Sequence, residues 1–510
     1  AEHDASTYRL IKELRPDMAV DHYEFQRQES NTEIGRPLPR WQYDASSNTR
    51  WVRTSKPGTV PSNTSVDFVG FFYRHVAVSP AQQELRLWQS LANGGALDYY
   101  LIGRLDTHRD RSGFDRIRKV FAHHARNEAI YQGLESQADV LLVRAERGQT
   151  GEDRGWVRTL TEAHHLFDEV LLTALANANL SRYRCIILPD VRDLTPADAE
   201  LLDRFVAEGG VLVATGRPGL PDPGAPASAP ATPNPSAPPP LLAGPPAPPD
   251  RGASAPATPD RPALASLGIE RVTAVRRDLR SAMFELRAPA AVASQAPGPV
   301  APAAETVADR DDPWPPETDV IIFGDTYVEA EYAAAAEPHL RLIPPHPYGP
   351  PERCYYTETS DRPGLVVNRH GDGRAVYLPW LPGELFHREG YPGTFEFLRR
   401  LLERIAGVPP IETTAPPTVE VTLQRNVGLD TLVLSLVNTS GHFGTTVYDG
   451  LPIRGVRVTV PVPDAWAAAP GSAGPARDAG EPALGARSLR DGRELQVAVG
   501  VQPGLGTGCR

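Results

Sequence analysis

Short apolar runs recur through the middle of the chain, and their spacing restricts the fold more than any other feature. Four runs have the length and the branched composition of buried strands. They are 96–102 (ALDYYLI), 138–143 (ADVLLV), 185–188 (CIIL) and 211–215 (VLVAT). A fifth follows at 319–323 (DVIIF), and a hairpin is predicted at 365–378 around Gly371-Asp372-Gly373.

Helical patterns lie between these strands. Ser79-Pro80 and Thr195-Pro196 each place a capping residue before a Pro at the first helical position. Apolar residues with helical spacing also occur at 166–175 and 395–405. Strands that alternate with helices predict a parallel sheet covered on both faces, so we expect a doubly wound α/β domain over 113–409.

Two proline-rich stretches interrupt that domain. Between 218 and 262, 17 of 45 residues are Pro, and most of the others are Ala, Gly or Ser. A weaker stretch of the same kind covers 288–316. Such compositions bury too little apolar surface to offset chain entropy, so both are predicted to be disordered insertions.

The period of the apolar pattern changes to two after residue 410. Apolar residues alternate with polar ones at 419–423, 432–436 and 456–460. Short alternating strands without helices predict a small antiparallel β-sandwich over 410–510. The last residues, GVQPGLGTGCR, carry no strand pattern, so the sandwich is predicted to lack its final strand.

Charge and cysteine content exclude several classes of function. The 510 residues include 52 Lys and Arg against 63 Asp and Glu, a net charge of −11 that does not favour nucleic acid or an anionic membrane as partner. No apolar run reaches the roughly 18 residues needed to span a bilayer. The three Cys are widely spaced, so neither a disulfide framework nor a zinc site is expected, and a cytoplasmic location fits best.

Carboxylates and aromatic residues crowd together in the first 112 residues, as sugar binding requires, because aromatic faces stack on sugar rings and charged groups bind hydroxyls. Hydrolysis of a glycosidic bond needs two carboxyl groups. Glu29 and Asp67 are the catalytic candidates. The substrate-binding candidates are Asn31, Trp41, Tyr43, Arg74 and His75.

Structural roles for the same carboxylates remain open. Glu29 lies near two arginines in sequence and fits half of a loop ion pair equally well. Asp67 sits inside an apolar run, where a carboxylate needs a compensating partner such as Arg74 or His75. Glu24 and Asp98 fit the framework better than the chemistry.

Other possible sites carry weaker signals. The adjacent pairs His123-His124 and His164-His165 lack the spacing for a shared metal and are expected on solvated helix faces. Cys185 lies within a strand and is expected to be a packed core thiol. No phosphate-binding glycine motif appears, so neither a cofactor nor a metal is expected.

The first 112 residues contain the stretches ESNTEIGRPLPRWQY and SNTSVDFVGFFYRHVAVSPAQQELRLWQSLANGGALDYYLIGRLD. Both resemble the later part of the catalytic barrel of bacterial glycoside hydrolases related to the family 42 β-galactosidases. The segment YRCIILPDVRDLTPADAELLDRFVAEGGVLVATG resembles their trimerisation domain, which is similar in fold to class I glutamine amidotransferases without their catalytic Cys. The segment LVLSLVNTSGHFGTTVYDGLPIRGVRVTV resembles their C-terminal β domain.

The resemblance implies three domains: the later part of a (β/α)8 barrel over 1–112, an amidotransferase-like domain over 113–409 and a β domain over 410–510. A complete barrel takes roughly 250 residues, so an N-terminal truncation and an inactive fragment are expected. In the related enzymes the acid/base Glu follows the fourth barrel strand and the nucleophile Glu follows the seventh. The corresponding stretch VDFVGFFYRH holds no Glu, and Asp67 is its nearest carboxylate.

The resemblance therefore implies a hydrolase acting on a carbohydrate substrate and assembled as a homo-oligomer, specifically a trimer. Two alternatives stay open. One is a carbohydrate-binding or scaffolding homologue without catalysis, and the other is an amidotransferase-like enzyme centred on the α/β domain, for which a reactive Cys185 would be the evidence.

Overall fold

The structure is a computed structural model. It describes residues 2–18, 27–30, 42–145, 149–220, 263–287, 313–315, 318–346, 349–350, 356, 358–444, 446–461, 486–491 and 493–495.

Three parallel strands and the helices around them form the first unit. The strands pair side by side in the order β1-β2-β3. The elements are α1 (Glu2–Leu14), β1 (Arg27–Ser30), α2 (Asp44–Ser55), β2 (Ser62–Val66), α3 (Pro80–Ala92), β3 (Ala96–Tyr100), α4 (Phe114–Arg126) and α5 (Glu128–Tyr131). The predicted helix at 79–92 is confirmed, and the Ser79 side chain accepts a hydrogen bond from the Gln82 backbone N–H as expected. The predicted strand at 96–102 is confirmed as β3.

A nine-stranded mixed sheet forms the centre of the chain. The elements of this region are β4 (Leu134–Ser136), β5 (Val140–Arg144), α6 (Gly151–Glu162), β6 (Phe167–Leu171), β7 (Cys185–Pro189), α7 (Pro196–Ala207), β8 (Val211–Thr215), β9 (Ile269–Arg276), β10 (Met283–Glu285), β11 (Val320–Ile322), β12 (Tyr327–Tyr332), β13 (Glu337–Ile343), β14 (Pro363–His370), β15 (Gly373–Leu378), α8 (Pro382–Glu389) and α9 (Pro392–Arg400). Strands β9 and β12 pair with each other in a separate two-stranded sheet, and β4 also pairs outside the nine-stranded sheet. The order is β11-β10-β13-β14-β15-β8-β7-β5-β6, and the five strands from β15 to β6 run parallel.

The parallel part of the sheet is buried on both faces. Val140 and Leu142 of β5 pack into one apolar cluster with α6, α8 and α9, whereas Leu141 and Val143 pack into a second cluster with α7. Strands buried on both faces explain the continuous apolar runs in the sequence. The predicted α/β class is confirmed.

One predicted helix is wrong. Residues 166–175 were expected to be helical, but 167–171 form strand β6, and the helix α6 ends at Glu162. The apolar residues Val170 and Leu171 fit a helical spacing, yet β6 pairs with β5 and every residue in it is buried. Pairing at the sheet edge overrides the local pattern.

The proline-rich insertions lie mostly outside the described residues. Residues 218–220 and 313–315 are described, whereas 221–262 and 288–312 are not. The predicted disorder of both insertions stays a prediction.

The C-terminal part contributes β16 (Val419–Asn426), β17 (Thr431–Asn438), β18 (His442–Phe443), β19 (Thr446–Val447), β20 (Ala486–Arg487) and β21 (Glu494–Leu495). The strands predicted at 419–423 and 432–436 are confirmed as the antiparallel pair β16 and β17, and β4 pairs with the other edge of β16. In the described part of 456–460 only an isolated bridge joins Val458 to Thr413. The predicted β-sandwich is not confirmed.

Helix α2 is held between the central sheet and the C-terminal strands by buried polar contacts. Ser46 Oγ donates to Glu420 of β16 over 2.6 Å, and Ser47 Oγ donates to Glu169 of β6 over 2.6 Å. The Arg50 guanidinium lies between both carboxylates, 3.9 Å from Glu169 and 3.8 Å from Glu420. Arg50 is 2% exposed. Desolvation lowers the pKa of Arg50, and the two carboxylates oppose this.

Further charges complete the same network. Arg53 pairs with Asp168 at 2.5 Å, Arg144 lies 3.6 Å from Glu169, and Gln89 of α3 donates to Glu420. Removing one member of a buried charge cluster leaves another charge uncompensated, which costs about 3–5 kcal/mol. The network therefore fixes the three-stranded sheet and its helices against the central sheet and the C-terminal strands.

None of the helices within the described ranges is long and apolar enough to cross a membrane.

Glu152 on α6 generates a prediction about pH. Its carboxyl group is buried and accepts hydrogen bonds from Trp156 Nε1 (2.9 Å), Thr215 Oγ1 (2.8 Å) and the Glu384 backbone N–H (2.7 Å). Burial raises its pKa to about 8, although the three donors act in the opposite direction. Because the folded-state pKa lies above the unfolded value, protonation of Glu152 stabilises the folded state. This stabilisation is complete below about pH 4.5 and is lost as pH rises through about 8. Between pH 6 and 9 we expect the free energy of unfolding to fall by about 2 kcal/mol.

Urea unfolding of the wild type and of Glu152→Gln at pH 6 and pH 9 checks this expectation. The variant carries no titrating group at that position and should lose most of the difference. An equal pH dependence in both proteins would contradict the assignment.

Candidate functional site

The register of the three-stranded sheet divides its polar residues between two faces. Glu29 of β1 lies opposite Thr64 of β2, and Thr64 lies opposite Asp98 of β3. Residues in register on neighbouring strands point to the same face, and the next residue along each strand points to the other. Glu29, Thr64 and Asp98 therefore share one face, which we call the open face.

Helix α2 covers the opposite face. The side chain of Asn63 on β2 accepts hydrogen bonds from Ser30 (3.0 Å) and from Asn48 of α2 (3.1 Å). Ser30 and Asn63 are fully buried, and so is Thr64 on the middle strand of the open face, whereas Glu29 and Asp98 on its two outer strands are half-buried. Accessible carboxylates thus lie on the open face.

Arg27 organises the open face. Its Nε donates to Thr64 Oγ1 over 2.6 Å and to Asp98 Oδ2 over 2.8 Å, and the Thr64 hydroxyl also donates to Asp98. Arg27 and Glu29 are two residues apart on β1 and so point the same way. The charge of Asp98 is compensated by Arg27, and Glu29 stands beside this pair at the carboxyl end of β1.

Asp67 lies on the other side of the sheet. It directly follows β2 and is fully buried. Its Oδ1 accepts hydrogen bonds from Gln83 Nε2 of α3 (2.8 Å) and from the Tyr99 hydroxyl, and its Oδ2 lies 3.0 Å from His108 Nε2. The structure therefore separates the two catalytic candidates instead of bringing them together.

The surroundings of Asp67 act on its charge in opposite directions. Burial raises its pKa, whereas the hydrogen bond from Tyr99 and the neighbouring His108 lower it. Burial and the Asp67 carboxylate both raise the pKa of the Tyr99 phenol, so that phenol stays protonated and donates. These contacts favour a positioning role for Asp67.

Asp67 and Asp110 together tie down the two loops that follow β2 and β3. The backbone carbonyl of Asp67 accepts a hydrogen bond from the Val78 N–H over 2.6 Å. Asp110 accepts from the backbone N–H groups of Ala77 (3.1 Å) and Ser112 (3.1 Å). Loops anchored in this way present their tips in a fixed conformation.

The predicted substrate-binding residues are distributed unevenly. Tyr43 is 1% exposed, packs in the apolar cluster around Trp156 and donates to Glu162 over 3.4 Å. This interior location does not fit a sugar contact. Arg74 and His75 are exposed on the loop after β2, and the His75 ring lies 6.0 Å from the His108 ring. Asn31, Trp41 and Glu24 lie outside the described residues.

Three residues that contact the candidate carboxylates or their neighbours were not among the sequence-based candidates. They are Arg27, Tyr99 and His108. Arg27 was detectable, because a strand alternation places it on the same face as Glu29. Tyr99 and His108 were not, since a loop residue such as His108 carries no periodic signal and its contact with Asp67 spans 41 residues.

The cysteine and the histidine pairs with weaker sequence signals lie in surroundings that do not suit a nucleophile or a metal ligand. Cys185 is fully buried, and burial raises the pKa of its thiol, so it is neither exposed nor ionised. The expectation of solvated histidines is wrong for His123, His164 and His165, which are all buried. His123 contacts the Tyr131 hydroxyl at 3.0 Å, and burial lowers the pKa of His165 to about 3. Within the described ranges no cluster of three His, Cys, Asp or Glu could hold a metal ion.

Two solved glycoside hydrolases have a similar fold. The α-L-fucosidase isoenzyme 2 from Paenibacillus thiaminolyticus superposes with a TM-score of 0.57 at 20% identity over 88% of this chain and 62% of that chain. The β-galactosidase from Bacillus circulans sp. alkalophilus gives 0.55 at 15% identity over 85% of this chain and 59% of that chain. No family model and no curated protein matches the sequence.

These comparisons bear on the fold. The resemblance to glycoside hydrolases related to the family 42 β-galactosidases is confirmed at that level. This chain spans about three fifths of the length of both enzymes. The barrel, the amidotransferase-like domain and the residue roles stay predictions.

Asp67→Ala tests the positioning role. The substitution leaves Gln83, Tyr99 and His108 without their acceptor, and each buried unpaired group costs about 1–3 kcal/mol. We expect the free energy of unfolding to fall by about 3 kcal/mol in urea titrations. Asp106→Ala is the matched control, because Asp106 lies on the neighbouring loop, is exposed and pairs only with the exposed Arg104. Equal stabilities of the two variants would refute the role.

Proposed function

We propose that this chain is part of a glycoside hydrolase that cleaves an O-glycosidic bond at the open face of the three-stranded sheet. Residues 1–112 then form the later part of a (β/α)8 barrel, 113–409 form an amidotransferase-like domain that packs against neighbouring subunits in a trimer, and 410–510 form an accessory β domain. The fold shared with an α-L-fucosidase and a β-galactosidase supports this assignment.

The location of Glu29 carries the proposal. In barrel enzymes the helices surround the sheet, and the catalytic groups lie at the carboxyl ends of the strands. Here α2 covers the face of Ser30 and Asn63, so the open face corresponds to the inside of the barrel. Glu29 is the last residue of β1 that points to this face.

Glycoside hydrolysis needs one carboxyl group that protonates the leaving oxygen and one carboxylate that acts as nucleophile or base. By alternation, the described carboxylates on the open face are Glu29 and Asp98, and Asp98 is bound to Arg27 and Thr64. We assign Glu29 the nucleophile or base role. The proton donor would come from a carboxyl group outside these three strands.

The other residues support that chemistry. Arg27 and Asp98 form an ion pair at 2.8 Å on the same face as Glu29. Asp67 positions the loops after β2 and β3. Arg74 and His75, exposed on the first of these loops, donate hydrogen bonds to sugar hydroxyls.

A non-catalytic carbohydrate-binding protein is the second candidate. The pairing of Asp98 with Arg27 favours it, because Asp98 is held as half of an ion pair and glycoside hydrolysis requires two carboxyl groups. In that case a saccharide raises the melting temperature and no turnover occurs.

Glu29→Gln tests the catalytic assignment in the product of the complete gene. We expect kcat on 4-nitrophenyl β-D-galactopyranoside or 4-nitrophenyl α-L-fucopyranoside to fall about 10²-fold or more, because the amide can neither attack nor accept a proton. Glu200→Gln provides the control, since Glu200 is exposed on α7. Unchanged turnover in Glu29→Gln would remove Glu29 from the mechanism.

A further inference from the structure

The loop after β2 presents an unusual set of exposed aromatic rings. Phe71, Phe72 and Tyr73 form a single 3-10 turn, and they are 53%, 91% and 53% exposed. Exposing whole aromatic rings to water is costly unless a ligand or partner covers them. We therefore expect a ligand or a partner to cover these three rings.

The conformation of this loop is fixed at its base. The Val69 N–H donates to the Val76 carbonyl over 3.0 Å, and an antiparallel bridge joins Phe68 to Ala77. Immediately below this bridge, the backbone carbonyl of Asp67 accepts a hydrogen bond from the Val78 N–H. We call Phe71, Phe72 and Tyr73 the ring platform. Because its base is fixed, the platform loses little conformational entropy when it binds a ligand.

A line of ring contacts connects the platform to the open face. Tyr100 is two residues beyond Asp98 on β3 and so points to the open face. Its ring meets the Phe68 ring edge to face at 5.7 Å, and Phe68 meets Phe71 in the same way at 5.7 Å. Phe72 follows at the outer end of this series. The rings thus extend from the ends of β2 and β3 outward into solvent, and β2 is the strand that pairs with β1, which carries Glu29.

Hydrogen-bonding groups lie beside the rings. Arg74 and His75 directly follow Tyr73 and are exposed. Aromatic faces next to donors suit pyranose rings, which present C–H surfaces for stacking and hydroxyls for polar contacts. A purely apolar partner would leave the guanidinium of Arg74 to be desolvated without compensation.

We propose that Phe72 stacks on a sugar unit one or more positions away from the bond cleaved beside Glu29, so that the substrate class is an oligosaccharide of at least two linked sugars. This inference rests on the proposed function, since it places the platform next to that site. Phe71 and Tyr73 flank the stacked unit, and Arg74 and His75 bind its hydroxyls. Phe72 determines specificity for chain length and takes no part in bond cleavage.

Phe72→Ala in the product of the complete gene tests the proposal. The side chain is almost fully exposed, so its removal should leave the melting temperature unchanged. We expect KM for β-1,4-linked galactotriose to rise about tenfold at constant kcat, whereas both constants for 4-nitrophenyl β-D-galactopyranoside stay the same. Phe72→Trp keeps a stacking surface and should retain the wild-type KM. Phe443→Ala, at a Phe that is 80% exposed in the C-terminal part, is the matched control and should change neither substrate.

Binding by calorimetry separates this inference from the catalytic one. In the Glu29→Gln background galactotriose should bind, and adding Phe72→Ala should weaken that binding about tenfold. If Glu29→Gln keeps full turnover while Phe72→Ala still weakens trisaccharide binding, the role of Glu29 fails and the platform stands. The platform is refuted if Phe72→Ala leaves trisaccharide binding unchanged. It is also refuted if the variant alters the molar mass measured by light scattering, which would identify the rings as a contact between subunits.

Discussion

The buried guanidinium of Arg50 is the constraint on which the arrangement of the molecule depends. It lies between Glu169 at the edge of the central sheet and Glu420 in the C-terminal strands, and both carboxylates also accept hydroxyl donors from the same helix. Each of these charges would be unstable in the interior alone, so they require one another. Helix α2 therefore cannot leave either neighbour without exposing an unpaired charge. The three-stranded sheet that α2 covers is fixed by the same contacts.

Strand alternation places Asp67 and Glu29 on opposite faces of the three-stranded sheet. The face that carries Asn63 is buried against α2, and Asp67 continues that side with its contacts to α3 and to the two loops. The opposite face carries Glu29 beside the pair of Arg27 and Asp98. Asp67 contacts the loops after β2 and β3, whereas Glu29 is half-buried on the face to which we assign the substrate. Their separation follows from a backbone whose side chains alternate at every residue.

Sequence patterns predicted the elements better than the contacts. The helix at Ser79 and the strand after it were predictable because the cap, the Pro and the apolar spacing agree locally. The strand at 167–171 was not, since Asp168 and Glu169 are acidic residues whose burial depends on arginines from distant elements. Pairing Glu29 with Asp67 as one site failed for a similar reason. The face of each residue depends on strand register, and one sequence does not reveal where a strand begins.

Hydrogen exchange of Arg50→Met measures the central constraint most directly. Met fills a similar volume but removes the cation that pairs with Glu420 and leaves Glu169 with Arg144 alone. We expect faster amide exchange in α2, β6 and β16 together, because one network holds all three, while exchange in α7 stays as in the wild type. Faster exchange confined to α2, with β6 and β16 unchanged, would show that the units are held in place without this network.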